Sequence, residues 1–192
     1  MTVSSQLDER FRAAAAAEGL LDVAYDVTDS PIGPLLVAVT ERGLCRISFD
    51  ADTDAERQLD SRGRAFGARV LRSPRPLDEV KRELDEYFAG ERRSFDLKVD
   101  LERLTSFNRT VLEQLAHVPY GSLTTYGALA GEAGRPRAAR AVGMVMNRNP
   151  IPIVLPCHRV VGSNGSLVGY AGGLERKETL LELEGALLVG PE

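Results

Sequence analysis

The stretch Thr124-Thr125-Tyr126-Gly127-Ala128-Leu129-Ala130-Gly131-Glu132-Ala133-Gly134-Arg135-Pro136-Arg137-Ala138-Ala139-Arg140 decides the architecture of the second half of this chain. Thr124 or Thr125 can accept from the free amides of a first helical turn, so a short helix is predicted over Tyr126 to Ala133. Gly134 stops it. Pro136 suits the first position of a second helix, predicted to run to about Asn147. Two short helices joined by a tight glycine-containing turn fit a helix-turn-helix; an ordinary helical hairpin fits the same lengths.

Charge bears on that choice. The 192 residues carry a net charge of -4, which taken alone argues against a nucleic-acid partner. Between Thr105 and Gly173, however, six arginines (109, 135, 137, 140, 148 and 159) face only Glu113 and Glu132, a local net charge of +4. The second predicted helix holds Arg137 and Arg140, is flanked by Arg135 and Arg148, and contains no acid. Phosphate contacts ask for such a surface. A solvated basic face is the plainer reading. Ala138, Ala139, Ala141 and Gly143 would let another backbone approach this helix closely.

Upstream, Thr105 or Ser106 can cap a helix bearing Phe107, Val111 and Leu115 on one face, and Pro119-Tyr120-Gly121 reads as a turn. Before Leu101 the pattern changes. Strands are predicted at Val23–Val27, Leu35–Val39 and Leu44–Phe49, the last with Cys45, Ile47 and Phe49 on one face. Cys45 is then most simply a packed core thiol. Helices are expected over Ala13–Ala17, Thr53–Ser61 and from Pro76, the last with an apolar stripe of Leu77, Val80, Leu84, Tyr87 and Phe88 ended by Gly90. Phe95, Leu97, Val99 and Leu101 alternate as in a half-buried strand. The α/β chain thus divides into a small mixed α/β domain over residues 1–100 and a second domain over 101–192.

Composition narrows the classes. With 43% hydrophobic and 27% charged residues the chain is an ordinary globular protein and not a disordered one. Two cysteines and two histidines exclude a disulfide scaffold and argue against a four-ligand zinc site. No apolar stretch approaches the roughly 20 residues of a bilayer span, and the alanine run near the N-terminus lacks a basic leader. A cytoplasmic location is expected, with both thiols reduced.

Downstream lies the stretch that carries chemistry, Asn149-Pro150-Ile151-Pro152-Ile153-Val154-Leu155-Pro156-Cys157-His158-Arg159-Val160-Val161. Imidazole can accept a thiol proton, so adjacent Cys157 and His158 are a candidate nucleophile and base. Adjacent residues on a strand point to opposite faces, so cooperation requires the backbone to turn there. Pro156 is expected to end an extended apolar run, Ile151 to Leu155. Glu184 falls on the apolar stripe of a helix predicted over Glu175–Leu187, with Leu180, Leu181, Leu187 and Leu188. A carboxylate in such a stripe needs a partner. Either His158 meets it, completing a nucleophile–base–orienter set, or Glu184 lies at a frayed helix end in water.

The run Pro156-Cys157-His158-Arg159-Val160, preceded by Asn149-Pro150, resembles the active-site signature of the O6-alkylguanine-DNA alkyltransferases, or methylated-DNA–protein-cysteine methyltransferases. Pro119-Tyr120-Gly121, Thr125-Tyr126-Gly127, Ala138-Ala139-Arg140-Ala141-Val142-Gly143 and Tyr170-Ala171-Gly172-Gly173-Leu174 follow the same family in order and spacing. In the first half the resemblance rests on Ser30-Pro31-Ile32-Gly33 and Gly43-Leu44. It implies a ribonuclease-H-like sheet in the first domain and a winged helix-turn-helix-like second domain. It also implies irreversible transfer of the alkyl group of O6-alkylguanine, and of O4-alkylthymine as a further substrate, to Cys157, once per molecule.

In that resemblance His158 deprotonates Cys157 through a water, Glu184 fixes the imidazole tautomer, and Tyr126 donates a proton to the flipped guanine. Met146, Val160, Tyr170 and Ala171 line the base pocket. Arg140 fills the vacated stack from the minor groove of double-stranded DNA, Arg135 and Arg137 bind DNA beside it, and Asn149 ties the DNA-binding helix to the active-site segment. No metal or cofactor and a monomeric state are implied. Ala171 departs from a common serine, and Leu112 stands where tryptophan is frequent. Three other readings compete: an alkylated-DNA-binding protein without catalysis, a sensor that signals by alkylation, and a cysteine hydrolase.

Overall fold

The computed structural model describes residues 22–49 and 69–187, with Ala14 as a single helical residue besides. The helices expected at Thr53–Ser61 and, Ala14 apart, at Ala13–Ala17 lie outside the described residues. Two compact units emerge: the first runs to Glu86 and includes Asp96–Asp100, and the second comprises Tyr87–Phe95 and the chain from Leu101 onward.

The first unit is built on a four-stranded sheet of β1 (Val23–Thr28), β2 (Leu35–Thr40), β3 (Gly43–Ser48) and β4 (Val70–Arg72), in the order β3-β2-β1-β4. β1 is antiparallel to β2 and parallel to β4. Leu35 to Val39 are all buried, as a continuous apolar run in a central strand should be. Pro74 and Pro76 open a 3-10 turn, Arg75–Leu77, that leads into α1 (Asp78–Phe88). Leu77, Val80, Leu84 and Tyr87 of the predicted stripe are buried, and Phe88 is half-buried.

The first unit departs from two local expectations. Cys45 and Ile47 do not share a face. A register shift at Ala38/Val39 bulges β3, so that Cys45 packs with Val23, Tyr25, Leu36 and Ala38 while Ile47 pairs with Val37 on the other side. The segment Phe95 to Leu101 is not a regular strand. It makes a single bridge, Leu44 to Val99, through Leu44 N to Lys98 O and Asp100 N to Leu44 O, each 2.8 Å. Side chains take over beyond it: Asp96 N donates to Glu83 Oε2 at 3.0 Å, and Asp100 accepts from Thr40 and Arg42. Gly43 is required beside this bridge, because with φ 132° a Cβ there would stand 2.3 Å from Lys98 O.

The second unit is mainly helical: α2 (Ser106–Ala116), α3 (Tyr126–Glu132), α4 (Ala139–Asn147) and α5 (Leu174–Leu183). A two-residue parallel ladder joins β5 (Thr124–Thr125) to β6 (Val160–Val161), which brings the chain before α3 beside the chain after Cys157. Thr105 caps α2 by accepting from Asn108 N, and Thr125 caps α3 by accepting from Ala128 N. α4 begins at Ala139, three residues later than expected. Residues 135–138 form a turn closed by Ala138 N to Arg135 O at 2.9 Å, with Pro136 at its second position, where its fixed φ belongs equally well. Arg137 therefore lies on the turn and Arg140 on the helix. α5 also ends earlier than expected. Ala186 N donates to Leu181 O and Gly185 N to Glu182 O, both 2.9 Å, with Gly185 at φ 68°: a Schellman motif that makes Glu184 the C-cap. Leu188 lies outside the described residues. Among those described, no helix is long and apolar enough to cross a membrane.

Candidate active site

The segment leading to Cys157 is coiled, not extended, which corrects the expectation for Ile151 to Leu155. Pro150 and Pro152 remove backbone donors, and Asn149 grips the loop from inside. Its Oδ1 accepts from Ile151 N at 3.0 Å and its Nδ2 donates to Leu155 O at 2.8 Å. Leu155 N closes the coil on Ile151 O, and buried Ile153 takes φ 75°, a sparsely populated conformation for a β-branched residue. Asn149 N also donates to Met146 O, so one residue links the end of α4 to this loop. At Pro156, with φ -81° and ψ 64°, Cys157 N donates to Leu155 O in an inverse γ-turn. Cys157–Arg159 then form a single 3-10 turn, which lets three consecutive side chains point in three directions.

Glu184 is where these directions are tied together. Lys177, Leu180, Leu181 and Glu184 form the buried stripe of α5 and its cap. Glu184 Oε1 accepts from Tyr87 Oη at 2.7 Å and Arg159 Nη2 at 2.8 Å, and lies 2.9 Å from His158 Nε2. Its Oε2 accepts from Arg159 Nε at 2.8 Å and Gly121 N at 3.2 Å. Gly121 reaches the carboxylate because φ 72° aims its amide inward, and a Cβ there would meet Glu184 O at 2.9 Å. Burial alone would raise the Glu184 carboxyl, but hydrogen bonds from His158 and Arg159 outweigh it and hold it at about 2.

The carboxylate fixes the histidine. An ionised Glu184 is acceptor only, so His158 must carry its proton on Nε2. His158 Nδ1 is then the lone-pair nitrogen, and it makes no hydrogen bond among the described residues. Burial pushes His158 below its ordinary value; the Glu184 bond opposes this, and the Arg159 and Lys177 charges reinforce it. The imidazole is thus neutral and able to accept a proton.

Cys157 is buried, and desolvation pushes its thiol up to about 11. The Asn149 side chain and the Lys177 charge work against that rise. Lys177 is fully buried, with Nζ donating to Val160 O at 2.6 Å and Val168 O at 3.2 Å. Tyr126 and Tyr170 are both raised, first by burial and then by the Cys157 charge. Tyr126 Oη donates to Val168 O at 3.2 Å. Val160 and Met146 are buried, Tyr170 is half-buried and Ala171 is exposed. Cys45, by contrast, is pushed up to about 12 by burial and then by Asp100, and donates to Ala38 O.

The basic residues separate into two groups. Arg135, Arg137, Arg140 and Arg148 are exposed, Arg140 on α4 and Arg135 with its guanidinium 4.9 Å over the Phe107 ring. Arg159 is not part of that surface. It is buried, chelates Glu184 and donates through Nη1 to Val118 O at 2.6 Å, so its contribution to the local charge count is cancelled inside the unit. Sequence reasoning missed this use of Arg159, and it missed Tyr87 and Lys177 altogether. The signal for Lys177 was available: it stands seven residues before Glu184 on the same helical stripe.

A buried cysteine next to a buried, neutral histidine, in the same unit as four exposed arginines and an acid-free helix, is the arrangement expected of a thiol nucleophile beside a phosphate-binding surface. Residues 23–101 match the family model described as 6-O-methylguanine DNA methyltransferase, ribonuclease-like domain, and residues 106–186 match its DNA binding domain. A methylated-DNA–protein-cysteine methyltransferase of Methanosarcina acetivorans is 44% identical over 162 residues, 84% of this chain and 98% of its own. One from Mycobacterium tuberculosis is 40% identical over 162 residues, 84% of this chain and 92% of its own. The crystal structure of M. tuberculosis O6-methylguanine methyltransferase superposes with a TM-score of 0.72 at 39% identity, covering 88% of this chain and 96% of that one. The structure of M. tuberculosis OGT in complex with DNA gives 0.73 at 39% identity, covering 85% and 93%. The chain belongs to the methylated-DNA–protein-cysteine methyltransferase family.

Proposed function

We propose that this protein repairs DNA by moving the alkyl group of O6-alkylguanine onto its own Cys157, once per molecule. The observation that carries this reading is the free Nδ1 of a neutral His158 held by ionised Glu184. The thiol proton passes through a water to that nitrogen. The thiolate attacks the alkyl carbon, the S–C bond forms as the C–O bond breaks, and the electron pair leaves with the purine. Tyr126, kept protonated by its raised pKa, supplies a proton to the purine ring. The product is a thioether, which neutral water does not hydrolyse, so the nucleophile is not regenerated. No group outside the protein and its substrate is needed for this balance.

The target atom sits inside a duplex, so the nucleotide has to be extruded at a cost of a few kcal/mol. Exposed Arg140 on α4 fills the vacated stack from the minor groove, while Arg135 and Arg137 on the preceding turn hold phosphates. Asn149, bonded to both Met146 and Leu155, transmits the placement of α4 to the thiol loop. Met146, Val160, Tyr170 and Ala171 form the base pocket. The reactive and DNA-binding residues all fall within 101–192. The protein works as a monomer in the cytoplasm, where thiols stay reduced.

The test is Cys157→Ser with a duplex carrying O6-methylguanine. Retained duplex binding with no methyl uptake supports the reading. Methyl uptake by the serine variant overturns it.

A further inference from the structure

Tyr87 stands outside the residues expected to do chemistry, yet its hydroxyl ends on the carboxylate of the candidate relay. The ring is fully buried at the end of α1, 5.3 Å from the Phe88 and Phe95 rings and 6.1 Å from Tyr120. Phenylalanine would satisfy that packing. The hydroxyl is an additional polar group in an apolar cluster, and it costs free energy unless it is bonded. It donates to Glu184 Oε1 at 2.7 Å, the shortest of the bonds that oxygen receives.

We propose that Tyr87 is a positioning residue for the transfer reaction: its hydroxyl draws on Glu184 Oε1 and so limits how strongly the carboxylate holds the His158 proton. The inference rests on the reading of His158 as the base. Oε1 serves three donors, Tyr87, Arg159 and His158, and Oε2 serves Arg159 and Gly121. A carboxylate offers about four lone-pair sites, so these donors compete. Removing the Tyr87 donor leaves more negative charge facing His158 Nε2 and stabilises the imidazolium. The other groups facing the pair are Lys177, Cys157, Tyr120 and Tyr170. None of them donates to Glu184. Tyr120 Oη instead donates to Leu183 O at 3.0 Å.

That difference supplies a control. Tyr87→Phe and Tyr120→Phe each delete one hydroxyl from the same aromatic cluster, but only the first deletes a donor to Glu184. The chain has two histidines, His117 and His158, so imidazole signals in an NMR pH titration of the DNA-free protein resolve simply. Tyr87→Phe is expected to raise the His158 titration by about half a pH unit. It should slow methyl transfer about threefold at the pH where His158 begins to protonate. Tyr120→Phe should leave His158 where it is. Coincident His158 titrations in the wild type and Tyr87→Phe would overturn the proposal, reducing Tyr87 to a packing residue. The titration needs no turnover, so a wild-type protein that takes no methyl would refute the repair reading separately.

Discussion

His158 Nε2 lies 2.9 Å from a Glu184 oxygen, and both side chains are sealed from solvent. Arg159 closes the same carboxylate from the other side at 2.8 Å. Burial of the imidazole, reinforced by the Arg159 and Lys177 charges, outweighs the pull of the carboxylate, so the histidine stays neutral beside it. Burying Glu184 alone would cost far more than burying it among these donors.

Glu184→Ala should accordingly destabilise the protein by about 3–5 kcal/mol, because it strands a buried Arg159 guanidinium. Urea denaturation monitored by circular dichroism measures this. Glu184→Gln keeps the shape but cannot accept from every donor, and should fall between wild type and alanine. A change of only a few tenths of a kcal/mol for Glu184→Ala would show that Arg159 finds water in the folded state.

Acid stability follows from the same cluster. His158 is held below its unfolded value, so the unfolded chain binds more protons and stability falls as pH drops below about 6.5. Glu184, held at about 2 against an ordinary 4.5, contributes stability that is complete above pH 4.5 and lost as pH falls toward 2. Denaturation midpoints from pH 8 to 3 should therefore decline in two stages. In Glu184→Gln the second stage should shrink.

Thiol reactivity in the absence of DNA should also depend on pH. With Cys157 raised to about 11, alkylation by iodoacetamide should accelerate about tenfold per pH unit between 7 and 10. Lys177→Met should slow it further, since the Lys177 charge favours the thiolate. A rate that is flat across this range would mean that the thiolate is already formed in the free protein.

In the proposed function Arg137 serves binding and Arg140 serves extrusion, and the two roles can be told apart. Arg137→Ala should weaken duplex binding and lower its salt dependence by about one unit of slope. Arg140→Ala should slow transfer at saturating DNA from a paired lesion much more than from single-stranded DNA, where no stack has to be filled. An equal loss on both substrates would make Arg140 only another phosphate contact.

Local signals made much of this legible in the sequence. Apolar runs gave β1 to β3, threonine caps gave α2 and α3, and glycine at 134 gave the break between α3 and α4. The Cys-His dipeptide and the stripe position of Glu184 pointed to the site. The failures share a cause, which is that the deciding partner is remote in sequence. The bulge that turns Cys45 away from Ile47 depends on the pairing with β2. The loop before Cys157 reads as an apolar strand unless Asn149 is known to bond both of its ends. Arg159 counts as surface charge until Glu184, 25 residues on, is seen to chelate it. Tyr87 lies 97 residues from Glu184 and looks like one more apolar position on a helical stripe.

Cys157 is proposed to act as a single-use acceptor. Intact-protein mass spectrometry after mixing with excess O6-methylguanine duplex tests it, followed by peptide mapping of the product. One added methyl group per molecule is expected, located on Cys157, with uptake stopping when every molecule carries it. Repeated turnover, or methylation located mainly at Cys45, would contradict it.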